Sequence, residues 1–189
     1  MIDKIYYINL DKREDRKEHV INMLTNCNLI EITERIPAIY NEQLGHLGCS
    51  LSHIKTLEKF IEDDLFIKDT SSLISNIQKL FDNNIDFDVV QLSGNHFKLE
   101  DCEHRWLRRV YDSQTSSGYI VTKKFAPILL DNFKKSYEVL KLGRNHFYCI
   151  DIHWKKLQPN SKWYCFYKPL GYQMKGYSDI EKKITSYKC

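Results

Sequence analysis

Three consecutive carboxylates, Glu62, Asp63 and Asp64, stand between apolar residues in the stretch KFIEDDLFIKD. Hard divalent cations such as Mg²⁺ and Mn²⁺ prefer oxygen ligands and often share them with a substrate diphosphate. The triplet is therefore a candidate metal site. The alternative is the acidic end of a helix, because the helical spacing of apolar residues continues up to Ile61. Acidic groups there would oppose the helix macrodipole, and the residues alone leave both interpretations open.

Two arginines follow the first predicted strand. Arg13 and Arg16 lie three residues apart, so both can face the same side of the first helical turn. Guanidinium groups beside the N–H donors of a helix N-terminus suit a diphosphate. The alternative is a solvated helix start in which the arginines pair with Glu14, Asp15 or Glu18. Physical chemistry alone favours this second interpretation.

Two further carboxylates are candidates for a chemical role. Asp151 lies within the apolar run YCIDIHW, and a buried polar group of this kind is costly unless it is paired or functional. It is either a general base or a structural carboxylate bonded to the backbone or to His153. Asp179, in GYSDI, is a candidate site residue, or it begins a terminal helix, DIEKKI, that is capped through Ser178.

The apolar patterns predict alternating strands and helices. We expect strands at 4–10, 29–40, 87–94 and 163–173, helices at 11–24, 49–61 and 71–83, and a strand, turn and helix within 116–140. Asp11 and Glu14 predict a capping box for the first helix. This order predicts an α/β fold: a single domain, 1–189, with a mostly parallel central sheet flanked by helices. Because ligands bind beyond the carboxyl ends of such strands, 9–16, 93–95 and the loop before Gly118 should share one crevice.

The composition limits the classes of partner. A net charge of +3 is too small to require an anionic polymer, so we expect no nucleic acid, although WLRRV, KKF, FKK and HWKK could form a basic aromatic surface. No apolar run is long enough to span a membrane, and the N-terminus does not resemble a signal peptide, so we expect a cytoplasmic protein. The spacing of His146, Cys149 and His153 lacks the second ligand pair typical of zinc sites.

Five segments together resemble the glycosyltransferase family 25 enzymes, the lipopolysaccharide and collagen-type galactosyl- or glucosyltransferases. IYYINLDKREDR is similar to the family motif INLDRRxDR, and LGHLGCSLSHIKTL is similar to GExGCxLSH. IEDDLF resembles the metal motif LEDD, and TSSGYIVTKKFAPILL resembles TxAYLIxxxGAxKLL. GYQMKGYSDI resembles the closing Q…SDI. The segments occur in family order over nearly the whole chain.

The resemblance implies a GT-A-like (Rossmann-like) fold and an inverting transfer of galactose or glucose from a UDP-sugar to a hydroxyl of a glycan or protein, with Mn²⁺ or Mg²⁺. Asp151 would be the base for the acceptor hydroxyl, and Asp64 would be essential for catalysis as a metal ligand. The positions that the resemblance assigns to the metal are Glu62, Asp63 and Asp64. The positions that it assigns to the nucleotide, the diphosphate and their orientation are Asn9, Leu10, Arg13, Arg16, Ala38, Ser52, His53, Gln173, Ser178 and Asp179.

Two departures from the family pattern bear on these expectations. Only eight residues separate His53 from Glu62, which is too few for a helix, a turn and a strand, so we expect a missing or shortened loop near 60–61. Gly118 replaces the alanine of the family's TxAY motif, which leaves the choice of sugar open. The short spacing also motivates an alternative function, in which the chain is a catalytically degenerate member that acts as a binding or scaffold module.

Overall fold

The structure is a computed structural model that describes residues 4–57, 65–67, 70–143, 145–173, 176–180 and 182–185. Its first half contains β1 (Ile5–Asn9), α1 (Glu14–Asn26), a 3-10 turn (Ile30–Ile32), β2 (Thr33–Pro37), α2 (Gly45–Leu57), β3 (Leu65–Ile67), α3 (Thr70–Asp82) and β4 (Val89–Gln91). Its second half contains β5 (Asn95–Asp101), β6 (Leu107–Gln114), β7 (Tyr119–Val121), α4 (Ala126–Leu140), a 3-10 turn (His146–Tyr148), α5 (Ile150–His153), a 3-10 helix (Trp154–Asn160), β8 (Trp163–Phe166), β9 (Gly171–Gln173), β10 (Gly176–Ser178) and β11 (Lys183–Thr185).

The central sheet is mixed and mostly antiparallel, so the prediction of a mostly parallel, GT-A-like central sheet was wrong. Its strand order is β5-β6-β8-β4-β7. Only the β4–β8 pair is parallel, whereas β5–β6, β6–β8 and β4–β7 are antiparallel. The prediction failed mainly because the sequence pattern did not indicate the pair β5–β6. A short connection joins these two strands, and short connections produce antiparallel neighbours, since parallel pairing requires a long crossover.

Three two-stranded sheets accompany the central sheet. The strands β1 and β2 pair in parallel, whereas β3–β9 and β10–β11 are antiparallel pairs. The predicted strand 163–173 is therefore two strands in two different sheets, with Pro169 between them. The segment after Ser178 enters the β10–β11 hairpin, so the prediction of a terminal helix there was wrong.

Apolar residues cover both faces of the central sheet. Val89 packs in one core cluster with Leu129 and Phe133 of α4, and its neighbour Val90 packs in a second cluster with Leu80 of α3. Successive residues of a strand point to opposite faces, so α4 and α3 lie on opposite sides of the sheet. Among the described residues, no helix combines the length and apolar character needed to cross a membrane.

The first helix begins without the predicted capping box. Its N-cap residue is Arg13, with no side-chain cap bond, and the carboxylate of Asp11 instead pairs with Arg35 of β2 at 2.5 Å. The next helix, α2, is described up to Leu57, so the predicted extension to Ile61 lies outside the described residues.

Candidate functional site

One cavity of about 400 Å³, which we call the central cavity, lies among segments that are far apart in the sequence. Its volume is within the range of small-molecule sites. Its walls come from the end of β1, the loop after β2, one face of α2, the loop after β6, the start of α5 and the β10–β11 hairpin. The lining residues that the sequence predicted as site residues are Leu10, Arg16, Ala38, Ser52, His53, Asp151, Ser178 and Asp179.

The other predicted site residues are not in this lining. Asn9 and Arg13 lie beside the cavity rather than in its wall. The metal candidates Glu62, Asp63 and Asp64 lie outside the described residues. Gln173 is the last residue of β9, and only its backbone is described.

Asn9 joins the end of β1 to the start of α1. Its side chain is fully buried, and its Nδ2 atom donates to the carbonyl oxygen of Arg13 at 3.1 Å. Arg35 of β2 donates from Nε to Asn9 Oδ1 at 3.0 Å and from Nη2 to the Asn9 carbonyl at 3.0 Å. These bonds fix the turn that carries Leu10 into the cavity wall. Asn9 therefore supports the wall of the cavity, and its predicted place at the nucleotide stays a prediction.

A cluster of three cations holds the β10–β11 hairpin against the start of α1. Lys12 Nζ lies 2.7 Å and Arg13 Nη1 lies 3.1 Å from the carboxylate of Asp179. Arg13 and Arg16 also donate to the carbonyl oxygen of Tyr177, at 3.2 and 3.1 Å. We call these five residues the clasp: Lys12, Arg13, Arg16, Tyr177 and Asp179.

The clasp keeps Asp179 ionised. Burial opposes ionisation, but the hydrogen bonds and charges of Lys12 and Arg13 outweigh it and lower the pKa of Asp179. Arg13 is further occupied by a two-bond contact with Asp15, at 2.8 and 2.9 Å, which lowers the pKa of Asp15 to about 2. The alternative in which Arg13 pairs with a neighbouring acid is therefore present as its contact with Asp15, whereas the contact of Arg13 with Asp179 was not predicted from the sequence. Of the two arginines, Arg16 lines the cavity.

Two glycines allow α2 to approach its neighbours closely. A Cβ atom on Gly48 would lie 2.4 Å from the carbonyl oxygen of Ile39, in the loop after β2. A Cβ atom on Gly45 would lie 2.7 Å from the Cα atom of Ile180, in the hairpin. Both contacts involve backbone atoms, so a side chain at either position would displace a wall of the cavity. This packing explains two glycines of the LGHLGCSLSH motif.

Ser52 and His53 lie on the face of α2 that borders the cavity. The Ser52 hydroxyl donates to the Gly48 carbonyl at 2.7 Å and accepts from the Ile39 N–H at 2.8 Å, which ties the loop after β2 to the helix. His53 is 1% exposed, and burial lowers its pKa to about 3. Its Nδ1 atom lies 3.4 Å from the hydroxyl of Tyr119. His53 is therefore neutral at physiological pH.

Asp151, at the start of α5, presents the second carboxylate of the described cavity lining. Burial raises the pKa of Asp151, while an N–H bond from Thr115 and the charges of His46 and Lys155 oppose this rise. The Thr115 N–H donates to Asp151 Oδ2 at 3.1 Å. Because Lys12 and Arg13 lower the pKa of Asp179, Asp151 is the carboxylate of the described cavity lining best suited to accept a proton. A raised pKa favours that role.

The loop that binds Asp151 has a strained backbone that the sequence did not predict. Thr115 has a φ of +85°, a conformation that is costly for a β-branched residue. Asn95 donates to the Thr115 hydroxyl at 3.2 Å, and Gln91 donates to its carbonyl at 3.3 Å. These contacts maintain the conformation that presents the N–H group to Asp151. Strained backbone conformations of this kind cluster at functional sites, and this one lies beside the half-buried carboxylate of Asp151.

The described residues do not supply a metal site by themselves. Within the described ranges, no group of three or more His, Cys, Asp or Glu side chains is arranged to hold a metal ion. His146 and Cys149 line the cavity. His153 instead lies 3.2 Å from Asn132 and 2.6 Å from Lys156.

Comparisons with known proteins give only a distant likeness. No family model and no curated protein matches the chain. Among solved structures, the crystal structure of mannose-1-phosphate geranyltransferase from Thermus thermophilus is similar, with a TM-score of 0.42 and 10% sequence identity. The similarity covers 87% of this chain and 74% of that chain. That protein is a transferase by its name, and a likeness of this size carries no inference about the activity of this chain.

Proposed function

We propose that the chain is a glycosyltransferase similar to family 25 that binds a UDP-sugar in the central cavity and transfers galactose or glucose to a hydroxyl of a glycan or protein. The observation that supports this proposal is the composition of the cavity wall. Parts of four of the five family-like segments line one cavity of about 400 Å³, and their lining residues lie between Ile8 and Ile180 in the sequence. If these segments resembled the family motifs only in composition, there would be no reason to expect the fold to bring them to one cavity.

The cavity can hold the negative charge of a nucleotide diphosphate. Arg16 lines the cavity, and Lys12 and Arg13 are the other two cations of the clasp. Arginine is well suited to phosphate because its planar group donates two parallel hydrogen bonds. The clasp has three cations and one partly buried carboxylate, Asp179, so the sum of these charges is positive even with Asp15 paired to Arg13.

Asp151 is our candidate base. In an inverting transfer, the acceptor oxygen forms a bond to the anomeric carbon as the bond from that carbon to the UDP oxygen breaks. The acceptor proton passes to Asp151 Oδ, and UDP leaves with the electron pair. Burial raises the pKa of this carboxyl, which strengthens it as a proton acceptor, and the Thr115 N–H fixes its orientation.

The metal part of the proposal rests on the sequence resemblance alone. Mn²⁺ or Mg²⁺ bound by Glu62, Asp63 and Asp64 would supply charge neutralisation for the leaving UDP. Asp64→Ala is then expected to abolish transfer while the circular dichroism spectrum stays unchanged. Full activity in that variant would show that these three carboxylates do not form the metal site.

The proposal is tested by screening UDP-sugars for hydrolysis or transfer with Mn²⁺ present. We expect turnover with UDP-galactose or UDP-glucose and loss of turnover in Asp151→Asn. The matched control is Asp131→Asn, which changes an exposed carboxylate on α4 that pairs with Lys135. Turnover that survives in Asp151→Asn at the wild-type rate would contradict the role of Asp151.

A second candidate function is a binding or scaffold module that has lost catalysis. The observation that favours it is the short connection after α2. The described part of α2 ends at Leu57 and β3 begins at Leu65, so the sequence has seven residues, 58–64, between them, and these include the three metal candidates. A module of this kind would bind UDP without turnover, and Mn²⁺ would not raise its melting temperature. A rise of several degrees with Mn²⁺ would count against it.

A further inference from the structure

A second groove lies at the opposite end of strand β6 from the central cavity. It has a volume of about 300 Å³ and is formed by α3, the segment before β6 and the end of β8. We call it the basic groove. The residues that matter in it are Ser72, Lys79, Arg105, Trp106, Tyr167 and Lys168. None of them belongs to the lining of the central cavity.

The basic groove carries three cations for which the described part of the chain supplies no acidic partner. Lys79, Arg105 and Lys168 are exposed, and no ion pair to an acidic side chain is found for any of them among the described residues. The nearby Arg108 differs, because it pairs with Asp101 at 2.8 Å. Three positive charges that line one groove and have no acidic partner within the described ranges favour an anionic ligand.

Aromatic rings lie beside these cations. Tyr167 is 59% exposed, and Trp106 is half-buried, with its ring stacked on Phe166 at a centroid distance of 6.3 Å. Large rigid rings with one polar edge are suited to pack against the C–H face of a sugar while polar groups bind its substituents. The hydroxyl oxygen of Ser72 accepts from Asn76 at 3.2 Å, so its own hydrogen is available to donate.

We propose that the basic groove binds a phosphorylated sugar unit of an extended glycan acceptor. This inference rests on the proposed glycosyl transfer, which gives the groove a glycan to hold. Its cations would bind the phosphate, and Trp106 and Tyr167 would pack against the ring. Trp106 directly precedes β6 and Gln114 ends it, so the two lie eight residues apart, or about 26 Å at the rise of a strand. The groove would therefore hold a part of the acceptor that is remote from the hydroxyl that reacts.

The test is ligand-observed NMR with glucose 6-phosphate as the probe and glucose and inorganic phosphate as comparisons. We expect glucose 6-phosphate to bind more tightly than either comparison, and its binding to weaken as salt is added. The combined variant Lys79→Gln, Arg105→Gln, Lys168→Gln should weaken it at least about tenfold, since charge-assisted bonds to phosphate are lost. The matched control, Lys55→Gln, changes an exposed lysine of α2 outside both sites and should leave binding unchanged.

Three results would overturn the inference. The first is no detectable binding of glucose 6-phosphate by the folded wild-type chain. The second is equal binding of inorganic phosphate, which would indicate an unspecific anion site. The third is tighter binding of an oligouridine RNA that is lost in the combined variant, which would make the groove a nucleic-acid site. UDP titrations of the same variants separate the two proposals. Absence of UDP binding with intact glucose 6-phosphate binding would refute the donor site and leave the groove as a binding site.

Discussion

The close contact at Gly48 gives a prediction with a calculable size. In Gly48→Ala the new methyl carbon would lie 2.4 Å from the Ile39 carbonyl oxygen and 3.0 Å from the Asn41 backbone nitrogen. Both neighbours are backbone atoms of the loop that lines the central cavity, so relief requires the loop or the helix to move. Overpacking of this kind costs about 1–3 kcal/mol, and a contact this short favours the upper end of that range.

Part of this cost is offset within α2 itself. Alanine is a better helix former than glycine by about 1 kcal/mol, so the net loss of stability should be about 1–2 kcal/mol. For a chain of this length that loss corresponds to a fall in melting temperature of about 2–8 °C. Affinity for UDP should fall as well, because the displaced loop carries Ile39, Tyr40 and Asn41 into the cavity wall.

The assay is thermal unfolding followed by circular dichroism, together with a UDP titration. The matched control is Gly176→Ala, because a Cβ atom there would meet nothing within 4 Å, and its stability should stay within about 0.5 kcal/mol of the wild type. If Gly48→Ala unfolds at the wild-type temperature and binds UDP equally well, the packing of α2 against the loop after β2 is not as described.

Three further predictions concern the charges of the site. Asp151→Asn should lower turnover by about 10²–10⁴-fold in steady-state kinetics, while the affinity for UDP measured by calorimetry stays nearly unchanged. A loss of UDP affinity as large as the loss of turnover would contradict a base role. The pKa of His53 is lowered to about 3 by burial, so the unfolded chain takes up a proton below about pH 6.5 while the folded chain does not. His53 should therefore contribute a fall of about 2 kcal/mol in the free energy of unfolding between pH 7 and pH 5. If chemical denaturation of His53→Gln shows the same pH dependence as the wild type, this contribution is refuted. The pKa of Asp179 is lowered by its cations, so the clasp stabilises above the ordinary carboxyl pKa of about 4 and this contribution is lost as the pH falls through the lower folded value. Asp179→Asn should lower the melting temperature at pH 7 and weaken its fall with acid; an unchanged melting curve would show that the clasp adds no stability.

Elements with strong periodicity were predictable from the sequence. The patterns predicted β1, α1 and α3 within a few residues of their observed bounds, and they predicted a strand followed by a helix within 116–140, where β7 and α4 lie. The pair β5–β6 was not predictable in the same way, because β5 is an edge strand with no residue fully buried and β6 buries every third residue instead of every second. Without that pair, the remaining strands and helices alternate, which suggested a parallel sheet.

The place of the candidate site was more predictable than the sheet that carries it. Residues 9–16, 93–95 and the loop before Gly118 were expected in one crevice, and Leu10, Arg16, Asn95 and Ser117 do line the central cavity. What the sequence did not indicate was the backbone geometry. The φ of Thr115 and the approach of Ile180 to Gly45 depend on contacts between segments that are distant in the sequence. Local sequence patterns do not predict such contacts.

The central claim is that the cavity at Arg16 binds the diphosphate of a UDP-sugar, and calorimetric titration of UDP tests it most directly. We predict saturable binding to the wild-type chain, weakened at least about tenfold in Arg16→Gln, because a charge-assisted pair of hydrogen bonds to phosphate is lost. Lys55→Gln, on the exposed side of α2, should bind as the wild type does. Absence of UDP binding to the folded wild-type chain, with and without Mn²⁺, would contradict the account.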